Sequence, residues 1–89
     1  MAGGDLDVVN NIVGVTATQT GRGYWLIGSN GEVFAFGDAR FYGSLPGIGV
    51  HVANVVTMAA TKSGLGYWLV GSDGEVFAFG DAPFYGSLR

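Results

Sequence analysis

Displaced by 43 residues, the chain lies over itself without a gap. Residues 23–45 match residues 66–88 at 20 of 23 positions, the exceptions being Ile27/Val70, Asn30/Asp73 and Arg40/Pro83. The stretch before them, 5–22 over 48–65, matches at only 6 of 18. The chain is therefore two copies of one unit, each with a nearly fixed second half and a drifting first half. A period of this length falls among the roughly 40–50 residues of a β-propeller blade. Helical repeats of similar size need long stretches free of glycine, which the 17 glycines deny. Residues 1–89 thus read as one two-repeat body, with repeats at 12–45 and 55–88.

Within one copy the strands follow from residue type. Ile12-Val-Gly-Val-Thr-Ala-Thr18 is rich in β-branched residues and ends in a Gln-Thr-Gly turn. Tyr24–Ser29 and Glu32–Phe36 flank Asn30-Gly31, which predicts a two-residue type I′ hairpin with positive φ at both turn residues. Asp73-Gly74 repeats the signal. Gly37-Asp38-Ala39 ends the third strand, and Phe41–Ser44 is expected to add a short fourth before Pro46. The expected fold is all-β, with two four-stranded blades per chain. Alternation puts Tyr24 and Leu26 on one face of the second strand, with Trp25 and Ile27 on the other. Phe34 and Phe36 oppose Val33 and Ala35 in the same way. Neither face is polar, so each sheet needs cover on both sides. Small residues (Gly14, Ala17, Gly28, Ala35) are expected where neighbouring blades approach most closely.

Composition sharpens that need. A chain of 89 residues buries only about 60–65% of its unfolded surface. With no cysteine and one histidine (His51), it has no disulfide, thiolate zinc site or His-rich metal cluster to compensate. Hydrophobic residues are 48% and charged residues 12%, too apolar for a disordered chain. No run approaches the ~20 apolar residues of a membrane span. A net charge of −3 argues against nucleic acid as partner. Propellers have about 4–8 blades, so two blades imply that the chain oligomerises head to tail into a closed β-propeller. A homotrimer with six blades is favoured, a tetramer with eight comes next, and seven is excluded for identical two-blade chains. Asp5-Leu-Asp-Val-Val9 is a candidate strand for closing a neighbour's sheet.

The string from Gly66 to Leu88, Gly-Leu-Gly-Tyr-Trp-Leu-Val-Gly-Ser-Asp-Gly-Glu-Val-Phe-Ala-Phe-Gly-Asp-Ala-Pro-Phe-Tyr-Gly-Ser-Leu when begun at Gly64, resembles a repeat of many secreted actinobacterial proteins. There it occurs in tandem, often beside peptidase, esterase or cell-wall hydrolase domains. The resemblance covers 12–45 and 55–88 and implies a propeller-like module outside the cell or on its surface. The family pattern usually has a proline before the first strand, where Asn11 and Asn54 stand here. In plan, a two-blade chain is also similar to small lectins that trimerise into six-bladed propellers and bind fucose-like sugars between blades. Their motifs are absent, so no residue role carries over. Met-Ala-Gly-Gly has neither a basic stretch nor an apolar segment, so no signal peptide is expected in this chain.

The chemistry of these residue types points to binding. A Ser-His-Asp triad would need His51, whose counterpart is Val8, and Ser44 and Ser87 lack a strand-to-helix elbow. Glu32 with Asp38 has the residue types of a glycosidase pair. However, Asp38 and Asp81 follow glycine in turns, where Asp usually bonds nearby backbone. Gly21-Arg-Gly23 and Gly64-Leu-Gly66 precede no helix and cradle no phosphate. No enzyme activity, cofactor or metal is expected. Aromatic rings cover the C–H faces of sugars, while carboxylates, amides and guanidinium groups bond their hydroxyls. Trp25 and Trp68 are therefore the first ligand candidates and Tyr42 and Tyr85 the second, with Arg22, Arg40, Glu32 and Glu75 as polar partners. The expectation is a carbohydrate-binding propeller with a preference for neutral deoxy or O-methylated sugars. The alternative is a structural or protein-interaction module, part of a longer array, in which the aromatic residues fill the space between blades.

Overall fold

The computed structural model describes residues 12–88. They form two three-stranded antiparallel sheets, each a meander in chain order. The first comprises β1 (Ile12–Ala17), β2 (Gly23–Gly28) and β3 (Val33–Gly37), and the second β4 (Val55–Ala60), β5 (Gly66–Gly71) and β6 (Val76–Gly80). A 3-10 turn at Pro46–Ile48 lies on the connection between them. The fold is all-β, and the described residues contain no α-helix. The candidate strand at Asp5–Val9 lies outside the described residues.

Each sheet has three strands, not the expected four. Residues 40–45 run beside the first sheet, but side chains take up their backbone groups in place of a strand ladder. The Trp25 indole N–H donates to the Arg40 carbonyl at 2.8 Å. The Tyr42 N–H donates to the Tyr67 hydroxyl at 2.9 Å, and that hydroxyl donates to the Gly43 carbonyl at 2.6 Å. Gly43 sits at φ 131°, far from strand geometry. Leu45 meets the backbone of the β2–β3 loop, its N–H bonding the Gly31 carbonyl at 3.2 Å. In the second repeat, Trp68 holds the Pro83 carbonyl at 2.7 Å and the Leu88 N–H reaches the Gly74 carbonyl at 3.0 Å.

The β2–β3 hairpin also differs from expectation. Among the described residues none but glycine has positive φ, so Asn30 is not in the conformation a type I′ turn requires. Gly31 N–H bonds the Gly28 carbonyl and Gly28 N–H bonds the Glu32 carbonyl, both at 2.9 Å. This is a three-residue loop, a turn over Ser29 and Asn30 followed by Gly31 at φ 86° as the bulge. Asn30 contributes through its side chain, whose Oδ1 accepts from Glu32 N–H at 2.9 Å.

Register confirms the division of faces. Opposed triplets Thr16–Trp25–Ala35 and Gly14–Ile27–Val33 share one face of the first sheet. Ala17–Tyr24–Phe36 and Val15–Leu26–Phe34 share the other. The second sheet repeats this, with Ala60–Tyr67–Phe79 and Met58–Leu69–Phe77 opposite Ala59–Trp68–Ala78 and Thr57–Val70–Val76. The core forms where the Trp25 face of the first sheet meets the Tyr67 face of the second. Trp25, Ile27, Val33, Leu45, Val55, Met58, Tyr67, Leu69 and Phe79 make up its buried cluster. The sheets touch along β1 and β4 and diverge toward β3 and β6, and the large rings fill the wider side. Gly14 is not needed for this approach, since a Cβ there would meet nothing within 4 Å.

Gly31 both needs positive φ and lies against Leu45, whose side chain would stand 2.5 Å from an added Cβ. Gly31→Ala should therefore cost at least about 2 kcal/mol, combining left-handed backbone strain with displacement of a core leucine. Urea denaturation of the variant measures this, and a loss below about 0.5 kcal/mol would contradict the packing described.

Candidate functional site between the sheets

Two features lie between the sheets, an aromatic joint and a polar cleft. The joint centres on Tyr67, which β5 projects into the first repeat. Its ring lies 5.8 Å from those of Trp25 and Phe79 and 5.9 Å from that of Tyr42. Its hydroxyl accepts from one backbone group and donates to the next, so a fully buried phenol has both capacities used. Burial pushes its pKa above the usual tyrosine value and keeps it neutral. Gly43 completes the socket, since a Cβ there would stand 2.9 Å from the Phe79 ring.

The cleft opens at the end of the sheets where β1 and β4 finish. It encloses about 290 Å³ and is lined by Thr16, Ala17, Thr18, Gln19, Trp25, Ala60, Thr61 and Gly64. Its polar groups are all neutral. Thr18 and Thr61 donate to Asp38 and Asp81 at 2.8 Å, which leaves their oxygens as acceptors. Thr16 and Gln19 make no side-chain hydrogen bond among the described residues, so a hydroxyl and an amide face the cleft ready to bond. Such a lining can take up a small neutral polyol but offers nothing to neutralise an anion.

A carboxylate clamps the rim in each repeat. Asp38 accepts from Thr20 and Thr18, fastening the β1–β2 turn to the residue after β3. Thr61 and Ser63 hold Asp81 in the same way. The hydroxyl bonds, from Thr20 first and then Thr18, bring the Asp38 pKa below its ordinary value. These aspartates thus bond hydroxyls in the preceding turn and lock the blade end. Glu32 and Asp38 flank β3 at opposite ends, six residue steps or about 20 Å of extended chain apart.

The residues expected to bind a ligand are not gathered at one place. Trp25 is completely buried and presents no ring face to solvent. Trp68 is half-buried, on the face turned away from the joint. Tyr42 lies in the joint with its hydroxyl oxygen buried and without a hydrogen-bond partner, while Tyr85 is exposed. Arg22 and Arg40 are exposed at the cleft end of the first sheet, and Glu32 and Glu75 are half-buried at the far hairpins. Sequence reasoning missed Tyr67 as the bridging residue, and it missed Thr16 and Gln19 in the cleft. Only the hydroxyl–Asp spacing repeats in both copies (Thr18, Thr20 and Asp38; Thr61, Ser63 and Asp81). Gln19 and Thr16 face Lys62 and Ala59 across the repeat and leave no such trace.

Among the described residues no group of three His, Cys, Asp or Glu side chains is placed to hold a metal ion. No helix among them is long and apolar enough to cross a membrane. Comparison with protein-family models, curated proteins and solved structures brought no match.

Two predictions follow from these contacts. Tyr42→Phe removes a buried hydroxyl that has no partner and should stabilise the protein by about 1 kcal/mol in urea denaturation, where an equal loss would mean the hydroxyl is bonded. A depressed carboxyl pKa contributes stability that is present above the unfolded value of about 4 and is lost as pH falls through the folded one. The Tm of Asp38→Asn should accordingly fall less than that of the unsubstituted protein between about pH 5 and pH 2. Parallel Tm curves for the two would refute the contribution of this carboxylate.

Proposed function

We propose that the chain is a structural β-repeat module, two blades of a larger propeller-like platform whose purpose is to present a rigid surface. The observation that carries this reading is the use made of the shared aromatic residues. Trp25, Tyr42, Tyr67 and Phe79 belong to the nearly invariant half of the repeat, and they are spent on the joint between one repeat and the next. The wedge between the sheets, closed along β1 and β4, supports the radial arrangement of propeller blades. Assembly of three chains would give six blades, and of four chains eight. The likeness of the repeat to tandem units of secreted proteins supports the same role outside the cell.

Carbohydrate binding is the second reading, and the neutral cleft favours it. Thr16, Gln19 and the Thr61 oxygen are suited to sugar hydroxyls, with Trp25 at the edge of the lining. In that case the ligand contacts are cleft residues, and Trp25 supports them from the core without stacking on the sugar.

A glycan array probed with the 89-residue chain discriminates between the two. The platform reading predicts no retained glycan. A retained neutral glycan whose binding falls at least tenfold in Thr16→Ala/Gln19→Ala, with the fold intact by circular dichroism, would establish the second reading instead.

A further inference from the structure

The chain contains one complete joint between repeats and, by its own symmetry, two half-joints. Inside the chain the Trp25 face of the first sheet receives the Tyr67 face of the second. The equivalent of the Tyr67 face on the first sheet is Val15, Ala17, Tyr24, Leu26, Phe34 and Phe36, which differs from its buried counterpart only in having Val15 for Met58. Its exposure is quite different. Val15 is 64% exposed and Met58 7%, while Tyr24 is 46% exposed and Tyr67 0%. On the far side of the second sheet, the socket residues Tyr85–Leu88 repeat Tyr42–Leu45. Leu88 is 92% exposed and Leu45 fully buried. Phe41 and Phe84 lie outside the joint and are equally exposed, at 59% and 60%, so the contrast is confined to joint positions.

We propose that these two faces dock on each other between copies of this chain, so that Tyr24 of one copy fills the socket at Tyr85 and Gly86 of the next. Tyr24 then accepts from the Tyr85 N–H and donates to the Gly86 carbonyl, as Tyr67 does at Tyr42 and Gly43. This rests on the platform reading and names its partner as a second copy. Three further observations support that occupant. None of the described strands carries a charged side chain, so the two sheet faces bring none into the contact. An apolar groove of about 400 Å³ lies open beside the vacant socket, lined by Val70, Val76, Tyr85 and Leu88 among others. Gly86 keeps the positive φ of Gly43, 119° against 131°, so the socket backbone is already shaped before anything enters it.

The contact is heterologous, one face against a different face, and copies therefore add in one direction and close into a ring where the rotation allows. Polarity supplies the test. Val15→Arg places a charge on the Tyr24 face, and Leu88→Arg places one on the socket face. Both positions are exposed in the single chain, so each variant should fold, with an unchanged far-ultraviolet circular dichroism spectrum. Multi-angle light scattering of the unsubstituted 89-residue chain should give a multiple of 9.2 kDa. Each variant alone should be a monomer. Mixed, the two should form a one-to-one heterodimer, because each retains the face the other has lost. An oligomer that survives Val15→Arg, or a mixture that stays monomeric, overturns the proposed docking while leaving the platform reading in place. An unsubstituted chain that remains a monomer at high concentration overturns the docking between copies.

Discussion

Tyr67 joins the two repeats through a single oxygen. Its hydroxyl takes the Tyr42 N–H and caps the Gly43 carbonyl, so one buried side chain satisfies two backbone groups of a segment that belongs to no sheet. A buried peptide group left without a partner costs on the order of 1–3 kcal/mol, so the route of residues 40–45 depends on the phenol being there. The ring is packed among Trp25, Tyr42 and Phe79, which ties the polar contact to the hydrophobic core. Removing the ring would open the core and release the segment together.

The other constraints serve this joint. Asp38 and Asp81 pin the β1–β2 and β4–β5 turns to the ends of β3 and β6, fixing the edge from which Trp25 and Tyr67 project. Gly31 and Gly74 let Leu45 and Leu88 lie flat on the hairpin tips. Trp25 and Trp68 hold the carbonyls of Arg40 and Pro83, which sets the start of each socket segment. Every one of these devices lies within a single repeat and occurs twice, whereas the tyrosine bridge crosses between repeats and occurs once. That asymmetry leaves a finished unit in the middle and apolar faces at both sides.

Much of the fold could be read before any coordinates. Strand positions followed from β-branched runs and turn residues, and the face assignments for Tyr24, Trp25, Phe34 and Val33 needed only a period of two. Two local expectations failed for identifiable reasons. Phe41–Ser44 has strand-like composition, but Tyr67, about 25 residues away, takes up its Tyr42 N–H and Gly43 carbonyl, and Trp25 holds the Arg40 carbonyl just before it. Asn30-Gly31 carries a type I′ signal, yet the loop takes one more residue and uses the asparagine side chain to hold Glu32. The candidate site was the least readable part. The aromatic residues expected to face a ligand include Trp25, which is the largest fully buried side chain among the described residues, and the cleft is lined by threonines and a glutamine that nothing in the repeat pattern marks.

By itself the amino-acid sequence determined that the chain is β-structured, that it is built twice from one unit, and that both faces of each sheet are apolar. These are properties of local backbone preference and side-chain alternation, and any neighbour would meet them. The tertiary structure decided which face meets which. It set the Trp25 face against the Tyr67 face, left their counterparts outward, and made a socket of the segment expected to be a fourth strand. A side chain's partner depends on which sheet lies across from it, at what angle and in what register. Those follow from packing large rings into a wedge, not from the order of residues along any one strand.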